Sequence, residues 1–184
     1  MLRRVEPDAR ILRTARLVLR PLTAADIPAI VGYRDDPEVA RYQSWERYSE
    51  ADARALVDSV ADATPGAPGW FQWGIERDGI LLGDCGLKIC DDPRLGVIGY
   101  TLGRGHQGRG LATEAVRAVL DLAFHRLGLH RVSASADGDN HRSLALLERL
   151  GMRREAHFRR SDWFKGAWCD EVVHALLRDE WPPA

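Results

Sequence analysis

The sequence predicts an α+β domain built on a mixed, mostly antiparallel sheet with flanking helices. Two observations carry that prediction. Three strand-like segments between residues 70 and 102 are separated only by short turns, and short turns force antiparallel pairing because a parallel crossover needs a dozen or more residues. The pattern then changes to helical spacing over Leu111 to Leu127 and is followed by another strand, which is the sequence of a crossover.

The elements follow in order. Leu17-Val18-Leu19-Arg20-Pro21 reads as a strand stopped by proline, and Thr23 with Asp26 forms a helix-capping pattern that opens the segment to Arg34. Asp36-Pro37 starts a short helix. Ser49 with Asp52 caps another, whose buried stripe is Ala53, Leu56, Val57 and Val60, and the proline-glycine stretch Thr64 to Gly69 ends it. Trp70 to Arg77 and Ile80 to Cys90 flank Asp78-Gly79, a pair that accepts the positive φ angles of a tight hairpin turn. A third strand, Gly96 to Leu102, follows the turn at Asp91-Asp92-Pro93.

Leu111, Ala115, Val119, Leu122 and Ala123 recur at helical spacing, with Glu114, Arg117 and Asp121 on the other face; Glu114 is expected in solvent. His130 to Ala136 is a strand and Asn140 to Leu150 a helix closed by Gly151. Met152 to Phe158 and Glu171 to Leu177 are two last strands, with a loop between them. No repeat, linker or low-complexity segment divides the chain, so residues 1–184 are expected to form one domain.

Composition removes several classes of function. Hydrophobic residues at 45% and charged residues at 29% are ordinary for a folded globular chain. A net charge of −1 supplies no field for nucleic acid or an anionic membrane, and neither is expected as a partner. Met1 to Arg10 has arginines with no apolar stretch behind them, which does not read as a signal peptide, and no window approaches a membrane span. Cys85, Cys90 and Cys169 are odd in number and lack metal spacing, so they read as reduced packing residues of a cytoplasmic protein. The six histidines form no metal-binding pair, and no metal is expected.

The chemistry is most legible from Gly103 to Ala112, which joins a strand to the most regular helix. Glycines let backbone pass close to a ligand, and the free N–H groups of a helix N-terminus favour an anion, so the segment reads as a phosphate cradle. Gly103, Gly105 and Gly108 match a dinucleotide-binding fingerprint, but the preceding strand belongs to an antiparallel meander and Asp121 lies inside the helix, where the fingerprint needs an acidic strand end. A P-loop is excluded because Gly-Lys-Ser/Thr is absent. A plain tight strand-to-helix connection through Gly108 and Gly110 is the remaining alternative.

Gln107-x-x-Gly110-x-Ala112 resembles the turn of the GNAT superfamily of N-acetyltransferases. The resemblance extends through Ile98-Gly99-Tyr100, Ala112-Thr113-Glu114-Ala115, Asn140-x-x-Ser143, Leu150-Gly151-Met152 and Leu176-Leu177-Arg178-Asp179-Glu180-Trp181, in order, over roughly Arg16 to Trp181. It is most similar to the Rim-type branch, which acetylates N-terminal amines of ribosomal proteins and includes enzymes for small amines.

The resemblance implies acetyl-CoA as acyl donor, direct transfer to an amine, a homodimer, and a splayed strand pair that admits the cofactor. It assigns coenzyme A to the backbone of Tyr100, Thr101 and Leu102, exposed by a bulge in that strand, and to Gln107, Gly108, Arg109, Gly110, Leu111, Ala112, Thr113, Asn140 and Ser143.

Two family habits are missing. Val97 stands where many relatives have a glutamate and Leu147 where many have a tyrosine acid, and neither can transfer a proton. The Rim-type branch instead implies Ser143 as proton donor and Asp162 as base, with Glu155 as a rival base. Asn140 also fits a helix cap and Ser143 an ordinary first-turn serine, so structural roles stay open for both.

Among the aromatic residues Tyr42, Trp45, Trp163, Phe164 and Trp168, the residues Trp45 and Trp163 are the candidates for an acceptor wall. The acceptor is then a protein N-terminus or a small amine such as a polyamine or aminosugar. A non-catalytic coenzyme A-binding or regulatory module is the alternative that Val97 and Leu147 favour and Ser143 and Asp162 disfavour.

Overall fold

A computed structural model describes residues 7–183, so residues 1–6 of the amino-terminal segment read above lie outside the described residues. In chain order the strands and α-helices are β1 Leu12–Arg13, β2 Val18–Pro21, α1 Ile27–Arg34, α2 Pro37–Ala40, α3 Glu50–Val60, β3 Gly69–Arg77, β4 Ile80–Ile89 and β5 Leu95–Leu102. They continue with α4 Leu111–Asp121, β6 Arg131–Asp137, α5 His141–Arg149, β7 Arg153–Phe164 and β8 Ala167–Leu177.

The predicted α+β class holds. Among the described residues one eight-stranded sheet runs in the order β1-β2-β3-β4-β5-β6-β8-β7, and every neighbouring pair is antiparallel except β5 with β6. The β3–β4 hairpin turns at Asp78 and Gly79, whose φ angles are 52° and 77°, as its sequence demands. Ser49 and Asp52 cap α3 reciprocally: Asp52 N–H donates to Ser49 Oγ at 3.2 Å and Ser49 N–H to Asp52 Oδ2 at 2.8 Å.

The main core lies where α4 and α5 cover the sheet, with Leu111, Ala115, Val119, Leu146 and Leu147 packed against Trp73, Leu87, Ile98 and Leu176. A second cluster joins α1 to α3 through Ile30, Tyr33, Ala53 and Val57. Past Asp121 the helical path widens into a π-turn over Leu122–Arg126. Among the described residues no helix is long and apolar enough to cross a membrane.

Three expectations need correction. The strand Leu12–Arg13 was not anticipated; two residues are too few for an alternation to register. The bulge expected in the strand from Ile98 to Leu102 is absent, because the β4–β5 register runs unbroken from Gly83↔Leu102 to Ile89↔Gly96. The loop expected between Phe158 and Glu171 is instead the outer half of a long hairpin, with Asp162 paired to Cys169 inside it. That half has no buried residue, so no apolar alternation marks it in the sequence. Its tight turn is Lys165-Gly166, with φ 49° and 78°, and the irregular register between Phe158 and Asp162 absorbs Arg159, Arg160 and Ser161.

Candidate functional site

The site begins where the parallel pair ends. β5 and β6 share only three register positions, Leu95↔Arg131 to Val97↔Ser133, and beyond them the strands diverge. From Ile98 to Leu102 β5 keeps β4 on one side and, among the described residues, has no strand on the other. Backbone groups on that open edge must find another partner, so the divergence offers a bound molecule main-chain hydrogen bonds. The expected splay is present, and the separation of β6 exposes the edge without any bulge in β5.

The glycine segment sits at the end of the open edge. Gly108 and Gly110 both have φ +74°, a conformation that costs any residue with a Cβ, and Gly110 is the N-cap of α4. The amides of Leu111, Ala112 and Thr113 therefore emerge unpaired at the start of an 11-residue helix. Gln107 secures the turn from both sides: its Nε2 donates to Leu102 O at 2.9 Å, and its Oε1 accepts from Arg142 Nη1 at 3.0 Å.

Arg16 fastens the turn from the opposite direction by donating through Nη1 to Arg109 O at 3.1 Å. Glu114 in turn holds Arg16, accepting from its Nε at 2.6 Å, from its backbone N–H at 2.9 Å and from Thr14 Oγ1 at 2.6 Å. Glu114 is thus engaged with the turn between β1 and β2 and not turned to solvent as expected. Burial pushes its carboxyl up, but these hydrogen bonds outweigh burial and hold the carboxyl below the usual glutamate range. Sequence reasoning missed Arg16 and Arg142, because each meets the turn only through the fold.

Across the divergence stands α5. Asn140 Oδ1 accepts the Ser143 N–H at 3.2 Å, which is the capping role. Ser143 Oγ lies 2.7 Å from the phenol oxygen of Tyr100, so the Tyr100 side chain spans the gap from β5 to α5. Leu147 is 1% exposed and belongs to the core, and Val97 occupies the last shared position of β5 and β6. Glu155, the rival base, is paired with Arg131 at 2.6 Å and Arg153 at 3.5 Å. The Arg131 hydrogen bonds, before any other influence, hold its carboxyl below the usual range, which makes it a poorer proton acceptor.

Beyond the carboxyl end of β6 a cleft of about 580 Å³ opens between the α2 region and the β7–β8 hairpin. Glu38, Arg41, Tyr42 and Glu46 form one side, Asp137 and Asp139 the floor next to Asn140, and Phe164, Lys165 and Cys169 the other side. Tyr42 Oη donates to Asp139 O at 3.3 Å and Lys165 Nζ to Ala40 O at 2.6 Å, so the two sides are tied together. Burial raises the Cys169 thiol pKa, and the negative charges of Asp137, Asp162 and Asp139 raise it further.

The residues selected as an acceptor wall lie one position from that lining. Trp45 uses its indole N–H on Arg34 O at 2.9 Å and packs on Tyr48, while its neighbour Glu46 faces the cleft. Trp163 is 59% exposed and stacks edge-on with Trp168, while Phe164, one residue on, faces the cleft. Successive strand residues point to opposite faces, which separates the last two. Among the described residues no group of three or more His, Cys, Asp or Glu side chains is arranged to hold a metal ion.

Comparison with known proteins agrees with this architecture. The model of the acetyltransferase (GNAT) domain matches residues 16–153. The uncharacterized N-acetyltransferase p20 of Bacillus licheniformis is 31% identical over 92% of this chain and 97% of its own length. The [ribosomal protein uS5]-alanine N-acetyltransferase of Escherichia coli is 35% identical over a shorter stretch, 47% of this chain and 44% of its own. Among solved structures, a GNAT-family acetyltransferase from Bacillus anthracis superposes with a TM-score of 0.83 at 27% identity, covering 92% of this chain and 99% of that one. The chain belongs to the GNAT family and is an N-acetyltransferase, with acetyl-CoA as the acyl donor of its class.

Proposed function

We propose that the chain transfers the acetyl group of acetyl-CoA directly to a primary amine, in the first instance the N-terminus of a protein. The observation that carries this reading is the divergence of β5 and β6, flanked by the open N-terminus of α4 on one side and Ser143 on the other. The pyrophosphate rests on the amides from Gly108 to Thr113, with Arg16, Arg109 and Arg142 supplying positive charge nearby. Pantetheine follows the open edge at Tyr100, Thr101 and Leu102, and Asn140 holds the helix that borders it.

An ammonium has no free electron pair, so the acceptor must be neutral when it attacks. Nitrogen bonds to the carbonyl carbon, and main-chain N–H groups of β5 meet the oxyanion that forms. Asp162 takes the proton that nitrogen sheds. As the carbon–sulfur bond breaks, its electron pair goes to sulfur and Ser143 Oγ–H supplies the proton there; the proton on Asp162 returns to the serine through solvent. The net change is one proton from nitrogen to sulfur. The acceptor enters through the cleft, past Tyr42 and Phe164. Three free cysteines agree with a cytoplasmic setting.

The relative that acts on the alanine of a ribosomal protein supports the protein N-terminus as acceptor. A second reading is favoured by the four carboxylates of the cleft, Glu38, Glu46, Asp137 and Asp139, which attract cations and suit a polyamine or aminosugar. Rates of thiol release with Ala- and Ser-starting peptides, polyamines and aminoglycosides separate the two. The peptides are expected to react fastest; a polyamine or aminoglycoside exceeding every peptide in kcat/KM selects the second reading instead.

A further inference from the structure

We propose that the Tyr100 side chain is a positioning residue for Ser143, donating its phenol proton to Ser143 Oγ so that the serine's own hydrogen is left to face the departing sulfur. The inference rests on the reading of Ser143 given above and assigns the Tyr100 ring a task that its backbone contacts with pantetheine do not require.

The geometry is specific. Tyr100 stands on the open edge of β5, and its hydroxyl crosses to α5, where it lies 2.7 Å from Ser143 Oγ and 3.4 Å from Ser143 O. Serine in the first turns of a helix commonly folds its hydroxyl onto the local backbone. Here the carbonyl four residues earlier, Asp139 O, is taken by Tyr42 Oη and the His141 N–H, and Ser143 Oγ turns to Tyr100. Among the described residues Ser143 Oγ has no other hydrogen-bond partner.

The direction of the bond follows from acidity. A phenol is a far stronger acid than an aliphatic alcohol, so the phenol is the better donor and the serine oxygen the better acceptor. Burial, above all, pushes the Tyr100 phenol up to about 12, so it keeps its proton throughout the neutral range. A serine oxygen has one hydrogen and two lone pairs. With one lone pair occupied by Tyr100, rotation about Cβ–Oγ is restricted and the hydrogen is directed away from the tyrosine. The developing negative charge on sulfur then meets a hydrogen already oriented, which lowers the reorganisation needed in the transition state.

Four proteins test the inference: the parent, Tyr100→Phe, Ser143→Ala and the double variant, each assayed for kcat, acetyl-CoA affinity by calorimetry and Tm. Ser143→Ala is expected to lower kcat by about 10²-fold and Tyr100→Phe by about 10-fold, both with acetyl-CoA affinity within about twofold of the parent. Once the serine is gone the phenol has nothing to orient, so the double variant should match Ser143→Ala within about twofold. Replacement of Tyr100 by 3-fluorotyrosine, which keeps the ring and the hydroxyl, should retain the parental kcat within about threefold.

Unchanged turnover in Ser143→Ala overturns the reading of Ser143 itself. A slow Ser143→Ala beside a fully active Tyr100→Phe, or effects that multiply in the double variant, overturns the inference about Tyr100 alone. Loss of fold or of acetyl-CoA binding in Tyr100→Phe also contradicts it, because a positioning hydroxyl predicts a Tm within a few degrees of the parent.

Discussion

Gly110→Asp is expected to weaken acetyl-CoA binding by about 10²-fold or more while the chain stays folded, because the added carboxylate repels the phosphate from the backbone amides of the turn, whose charge-assisted contacts are worth about 2–3 kcal/mol. Gly110 is the N-cap of α4, with φ +74°. Among the described residues a Cβ built there meets no atom closer than Arg16 Nη2 at 3.5 Å, so packing does not forbid a side chain. The cost to the fold is the left-handed conformation, roughly 1–2 kcal/mol and less for Asp and Asn, which tolerate it. Gly110→Asn imposes similar strain without the charge and isolates the electrostatic effect. Calorimetry should find Asn weakened by about 10-fold at most and Asp far more. Equal losses in the two variants would assign the effect to strain and remove the phosphate from this turn.

Asp84→Ala should lower stability by about 3–5 kcal/mol, the cost of stranding a buried charge, or about 6–20 °C in Tm for a domain of this size. Asp84 lies on β4 with its side chain 1% exposed and accepts two hydrogen bonds from Arg34 Nη2, at 2.7 Å to Oδ1 and 2.8 Å to Oδ2, with a third from Arg34 Nε at 3.1 Å. Tyr33 Oη and Gln72 Nε2 donate to the same carboxylate. Burial pushes the Tyr33 phenol well above its ordinary range, and the Asp84 charge acts in the same direction.

Arg34 ends α1, carries the Trp45 ring 4.6 Å from its guanidinium carbon, and leads into the residues that form one side of the cleft. Asp84→Ala should therefore also raise KM for the amine more than KM for acetyl-CoA. Removing both charges by Arg34→Met with Asp84→Leu should recover part of the lost stability, since no unpaired charge remains, while Tyr33 Oη and Gln72 Nε2 still lose their acceptor. A single variant that melts within about 2 °C of the parent would show that Arg34 finds other partners.

Much of the fold was legible because local chemistry and global arrangement agree in the central part of the chain. Asp78-Gly79 marks a turn that only those φ angles close, and the periodicity of Leu111, Ala115 and Val119 marks a helix that buries those residues. The phosphate turn was readable for the same reason, since its glycines and helix start are contiguous. What escaped was long-range or unpatterned. The outer halves of β7 and β8 have solvent on both faces and are held by backbone pairing and the Trp163–Trp168 contact, which leave no alternation to read. Arg16 reaches the turn from 93 residues away, and Tyr100 meets Ser143 across 43. Asp137 and Asp139 flank Gly138 with no motif to single them out, and only the hairpin beside them makes them the floor of a cleft. Asp84 was hidden in an apolar strand whose partner residues are not its sequence neighbours.

Direct transfer from acetyl-CoA to an amine is open to rapid-quench turnover with isotope-labelled acetyl-CoA and an Ala-starting peptide. Label should appear in the peptide amide at the same rate at which coenzyme A is released, one for one, with no label retained on the protein. Coenzyme A released with label in free acetate, or label held covalently by the protein before it reaches the peptide, would contradict it.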